Sequence, residues 1–100
     1  MGDDVMSLKV GDLVRIKTCQ ELLNEGYYFE VVDGATLLFF PLWSEQRNRV
    51  AFYDDEMDHF GEELTISEIN TLKIPLLYAT GLTPNGKLIE FVPVAVLDRI

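Results

Sequence analysis

Ten consecutive residues, Asp54-Asp55-Glu56-Met57-Asp58-His59-Phe60-Gly61-Glu62-Glu63, hold six carboxylates and no lysine or arginine. Carboxylates gathered this way can ligate a hard cation, share a proton in acid and base work, or dock on a basic surface. The cation use requires a set order. A calcium loop begun at Asp54 would put Asp54, Glu56 and Asp58 at its first three ligand positions. It would also put His59 where the sharp turn needs glycine, and Thr65 where the closing bidentate glutamate belongs. A transition metal would need nitrogen or sulfur donors beside His59, yet the chain has one histidine and one cysteine, Cys19, far apart in sequence. No metal and no cofactor are expected.

Catalysis fails on similar grounds. Cys19 and His59 form the sole pair of nucleophile and base that includes the cysteine, and neither has a neighbour suited to be the orienting third member. A lone cysteine on a short helix reads as a small core residue. Acid and base work by paired carboxylates needs a cleft, which a domain of this size seldom encloses. The phosphate loop, the dinucleotide fingerprint and the serine elbow are all missing from the sequence. The expectation is a protein with no catalytic residues.

Docking on a basic surface is the use that survives. The chain has 100 residues and a net charge of −9, and such an excess repels a phosphate backbone, so direct nucleic-acid binding is not expected. The nucleic-acid alternative would need a local basic patch from Arg15, Lys17, Arg47 and Arg49. Residues 1–50 carry five basic and eight acidic side chains, and residues 51–100 carry three and nine, so the excess concentrates in the second half. Phe52 and Tyr53 precede the acidic run and Phe60 lies within it. Charges that steer encounter, set beside rings that supply affinity, fit a protein partner with a basic groove. On that reading Asp54, Asp55, Glu56, Asp58, Glu62 and Glu63 carry the charge, and Tyr53 and Trp43 are the anchors. The plainer reading is a solvated acidic turn that keeps the protein soluble.

The elements that must position these residues are short. Val14 and Ile16 alternate with Arg15 and Lys17, which predicts a half-buried strand. Thr18 and Glu21 match a capping box and Gly26 stands at a C′ position, which predicts a two-turn helix over Cys19–Glu25 with Leu22 and Leu23 inward. Asp33-Gly34 between Tyr27–Val32 and Ala35–Phe40 reads as a hairpin, whose return strand Pro41 ends or places on an edge. A loop at Ser44–Asn48, a strand at Val50–Tyr53 and a helical turn or two over Asp54–Phe60 follow, with Gly61 ending the turn. Strands are expected at Leu64–Ser67, Ile74–Thr80 and Leu88–Val92. Pro84-Asn85-Gly86 forms a turn, and Val96, Leu97 and Ile100 anchor the tail.

Nine of the eleven aromatics lie between Tyr27 and Phe60. A strand of period two cannot bury Tyr27, Tyr28 and Phe29 on one face, and Leu37-Leu38-Phe39-Phe40 raises the same difficulty. Either this segment is covered on both sides by its own chain, or a second copy covers it. Tyr28, Phe39 and Phe40 are therefore candidates for a homodimer interface.

Six or seven short strands with two brief helical pieces predict a mainly β protein, a small antiparallel barrel or strongly bent sheet rather than a βαβ fold. Val10-Gly11-Asp12-Leu13-Val14-Arg15-Ile16 resembles the opening strand of SH3-like small barrels. Residues Phe60-Gly61-Glu62-Glu63-Leu64-Thr65-Ile66-Ser67-Glu68-Ile69 resemble their central glycine-led strand. Leu88 to Ile100 is similar to their closing strand and short helical turn, as in small phage and prophage proteins. The resemblance covers about a third of the chain. It departs from the family in an aromatic-rich insert at 27–55 in place of the first barrel loop. It implies binding rather than chemistry. A single SH3-like domain over 8–100 is expected after a flexible lead-in at 1–7. With the acidic run and its flanking aromatics, the expected protein is a non-catalytic acidic protein-binding module, such as a phage-encoded inhibitor of a host defence nuclease that mimics nucleic acid. A structural or assembly protein, oligomeric through the aromatic insert, is the alternative. One cysteine excludes an internal disulfide, and the longest apolar stretch, Ala35–Trp43, falls far short of the ~20 residues of a membrane span. With no signal-like start, a soluble cytoplasmic protein without membrane contact is expected.

Overall fold

The computed structural model describes residues 8–73 and 76–100, apart from the side chains of residues 55, 56, 71–73 and 76. The described elements run β1 (Leu13–Ile16), α1 (Cys19–Asn24), β2 (Tyr28–Val32), β3 (Ala35–Phe39), β4 (Val50–Phe52), a 3-10 helix (Asp54–His59), β5 (Glu63–Lys73), β6 (Leu76–Leu82), β7 (Leu88–Pro93), a 3-10 turn (Val94–Val96) and β8 (Leu97–Arg99). Every pairing between them is antiparallel, in two sheets ordered β7-β6-β5-β1-β8 and β2-β3-β4. The protein is thus mainly β, as its alternating apolar residues require. Among the described residues no pairing joins β7 to β8, so the larger sheet is not closed. The chain divides into two compact units: one holds the chain up to Lys17 together with Gly61–Ile100, and the other is Thr18–Phe60.

In the first unit, Val14 and Ile16 of β1 face inward with Leu64 and Ile66 of β5, and Ala79, Ile89, Val92, Val94, Val96 and Leu97 are buried with them. Two register shifts, between Ile66 and Glu68 and between Asn70 and Lys73, interrupt the ladder of the long β5 with β6. At Gly81 a side chain is excluded by neighbouring backbone, because a Cβ there would lie 2.6 Å from the Thr65 carbonyl oxygen. Ile100 is not the anchor expected of it. It is 60% exposed, since strand alternation from buried Leu97 puts a residue three positions on at the opposite face. Asp98 holds β8 to β1 by accepting from Arg15 Nη2 at 3.1 Å, with Lys17 Nζ at 3.9 Å.

The second unit opens with a full capping box. Thr18 Oγ1 accepts from the Glu21 amide at 3.2 Å, and Glu21 Oε1 accepts from the Thr18 amide at 2.8 Å. Leu22 is buried but Leu23 is exposed, contrary to expectation. Adjacent helical positions are turned by about 100°, and a helix of six residues has one inward stripe. Gly26, with φ +101°, ends the helix as a C′ residue. Asp33 and Gly34, with φ of 53° and 84°, form the two-residue hairpin turn between β2 and β3. Leu38, Phe40 and Phe52 are buried, with the Phe40 ring 5.3 Å from Tyr27 and the Phe52 ring 5.3 Å from Phe60 in an edge-on arrangement. The expected lead-in at 1–7 and the start of the expected strand Ile74–Thr80 lie outside the described residues.

Candidate functional site

The acidic run is divided between the two units. Asp54 and Asp58 lie in the 3-10 helix with exposed side chains, and Asp55 and Glu56 belong to the same helix, though their side chains are not among those described. At Gly61, with φ +85°, the chain leaves the second unit, and the Gly61 amide donates to the Ile16 carbonyl at 2.8 Å. Glu62 and Glu63 then enter the first unit. The Glu62 carbonyl accepts from the Ile16 amide, and Glu63 stands opposite Arg15 in the ladder. The six carboxylates therefore do not sit on a single helical element.

The two proposed anchors are accessible. Tyr53 links β4 to the 3-10 helix, directly before Asp54, and is 58% exposed. Trp43 lies in the turn closed by the Ser44 amide donating to the Pro41 carbonyl at 3.0 Å, and is 78% exposed. Its seat is the backbone of Gly26, where a Cβ would come within 2.9 Å of the indole Nε1 and 3.2 Å of the Pro41 Cβ. The missing side chain at Gly26 thus serves two ends, a positive φ at the helix terminus and room for the indole.

The dimer candidates separate by burial. Tyr28 and Phe39 are opposite each other across β2 and β3, with rings stacked at 5.6 Å and 14°, and both are half-buried. Phe40 is buried in the core of its own unit against Tyr27. Tyr27 is buried as well. Desolvation first, and the Glu25 carboxylate second, push its hydroxyl pKa up from the ordinary value.

Cys19 is the first residue of α1 and is half-buried, and half-buried His59 ends the 3-10 helix. Among the described residues no group of three or more His, Cys, Asp or Glu side chains could hold a metal ion. Of the four basic residues in the alternative patch, Arg15 and Lys17 share Asp98, Arg47 is exposed and Arg49 is half-buried. No described helix is long and apolar enough to cross a membrane.

Two further accessible features lie outside the candidate residues. Phe91 on β7 adopts φ +59° beside the register shift between Ala79 and Gly81, and its ring meets that of Tyr78 edge-on at 6.5 Å. Nothing local in the sequence marks that bulge. On β2, Phe29, Val31 and Val32 are all exposed, for which the double-sided apolar pattern of the hairpin is the available signal. No family model, no curated protein and no solved structure matches the chain.

Proposed function

We propose that this protein is a non-catalytic acidic binding module, which docks Tyr53, Trp43 and the carboxylates of the Asp54–His59 helix on a protein partner with a basic groove. The observation that carries the reading is the adjacency of an exposed aromatic anchor and an exposed charge, Tyr53 followed by Asp54. A largely exposed ring next to an exposed carboxylate combines the two contributions of a binding surface, apolar affinity and charge steering. The sharper form of the reading is a phage-encoded inhibitor in the host cytoplasm that occupies the nucleic-acid channel of a defence nuclease, with carboxylates standing in for phosphates. The SH3-like reading is supported by the strand order β7-β6-β5-β1-β8 and by the 3-10 turn between β7 and β8, with Thr18–Phe60 between β1 and β5.

The test is capture of partners from host lysate at low and high salt, with duplex DNA as competitor. The expected partner is released by salt and by DNA, and is lost when Asp54→Lys, Asp55→Lys and Glu56→Lys are combined. Capture indifferent to both salt and charge reversal would sink the mimicry. The second reading, an assembly protein that self-associates through the aromatic insert, is favoured by the half-buried Tyr28 and Phe39 stack. Sedimentation of the wild type against Phe39→Ser over a range of concentrations separates the two.

A further inference from the structure

Strand β2 is the outer strand of its sheet, paired with β3 on one side and, among the described residues, with no strand on the other. The hairpin turn sets the direction of its backbone groups. Residues flanking a two-residue turn exchange both hydrogen bonds, so Val32 does this with Ala35, and alternation gives Glu30 and Tyr28 the same part toward Leu37 and Phe39. The N–H and C=O of Phe29 and Val31 therefore point to the open edge.

Of the devices that normally blunt an edge, β2 carries one, the charge of Glu30. Tyr28–Val32 contains no proline and no lysine, its register with β3 runs without a shift, and none of its residues is buried. Val31 is 72% exposed. The electrostatics select what can pair there. From Thr18 to Ser44 the chain has Glu21, Glu25, Glu30 and Asp33 and no lysine or arginine. An added antiparallel strand would bond to Phe29 and Val31, which leaves Glu30 at the intervening site where opposed Cα atoms are closest, at about 4.5 Å. An opposite charge across such a pair is favourable and a like charge is not.

We propose that β2 is a strand-addition site for an extended segment of a protein partner, with lysine or arginine opposite Glu30 and apolar residues opposite Phe29 and Val31. A second copy of this chain fits poorly. A two-fold pairing that uses both Phe29 and Val31 opposes them to each other and sets Glu30 against the Glu30 of the copy. Centring on Val31 instead opposes Phe29 to Asp33, which is in the turn with φ 53°. Centring on Phe29 opposes Val31 to Tyr27, whose amide already donates to the Leu22 carbonyl at 3.0 Å. The proposal goes beyond the reading above because it uses the backbone of β2 rather than Trp43, Tyr53 or the acidic helix.

The test titrates the full isotope-labelled chain with a capped seven-residue peptide of alternating valine and lysine, followed by amide shifts and hydrogen exchange. The Phe29 and Val31 amides should shift and gain protection. A peptide N-methylated on the residues whose amides would face β2 should bind at least about tenfold more weakly. Val31→Pro removes an outward N–H without touching the β3 ladder, and should abolish binding while β3 keeps its spectrum. Glu30→Lys should reverse the preference to a valine and glutamate peptide. Equal binding of the methylated and unmethylated peptides would overturn the proposal, a result independent of whether any variant folds. So would self-association of the free chain through this edge, or loss of peptide binding in Asp54→Lys, which would move the contact to the acidic helix.

Discussion

Strands β1 and β5 in the first unit bury alternate residues, Val14, Ile16, Leu64 and Ile66, while Thr65 and Ser67 face outward. The hairpin of the second unit behaves differently. No residue of β2 is buried, and β3 buries Leu38 alone. The contrast follows from residue type. A strand that alternates apolar with polar residues is satisfied by one covering layer, but Tyr28-Phe29-Glu30-Val31-Val32 is apolar on both faces and keeps part of its apolar surface in water. Within the first unit β1 and β5 thus bury one face in regular alternation, and in the second unit β2 leaves Phe29, Val31 and Val32 exposed.

The largest expected effect tests this contrast directly. Leu64→Ala, in the first unit, should destabilise the protein by about 2–5 kcal/mol in urea unfolding, whereas Val31→Ala should stay within about 0.5 kcal/mol. Comparable losses would erase the distinction. Next come the two crowded glycines. Gly81→Ala drives a Cβ onto the Thr65 carbonyl, which is backbone, and should cost about 2–3 kcal/mol. In Gly26→Ala the nearest atom is the end of an exposed indole that can swing aside, so the loss should be nearer the about 1 kcal/mol of a left-handed alanine. The indole movement should register as a change in Trp43 fluorescence. Thr18→Ala removes the capping-box acceptor and should cost about 1 kcal/mol, seen as faster exchange of the α1 amides.

The smallest effect at neutral pH is expected at Tyr27. Its pKa is raised by folding, so the stabilising contribution of the neutral phenol is complete below the unfolded value of about 10, and declines as pH rises from there toward the folded value. Thermal unfolding of Tyr27→Phe should therefore match the wild type near neutrality and lose less stability above pH about 10.

The local grammar of the fold was legible in the residues themselves. Thr18 and Glu21 specify a capping box, Asp33-Gly34 a two-residue hairpin, and Gly26 a helix end, because each depends on contacts within a few positions in sequence. Leu23 and Ile100 are exposed because hydrophobicity reports a preference for burial, while the side of the element a residue occupies depends on what packs there. The exposure of the candidate residues was legible in their types. Trp43 and Tyr53 stand exposed, and the carboxylates of Asp54 and Asp58 face water. The continuity of the acidic run was not, since Gly61 bonds to Ile16 and the chain passes through Glu62 into β5, which begins at Glu63.

Sequence alone determined the mainly β class, the acidity and the turns, all of which are set by composition or by interactions of short range. The tertiary structure decided that the strands form two sheets, that β2 lies at the edge of one, and that Gly26 carries the indole of Trp43. Those outcomes depend on pairings between distant segments, such as β1 with β5 and β8. Strands of similar local preference can satisfy such pairings in many orders, and only the packing of the whole chain selects among them.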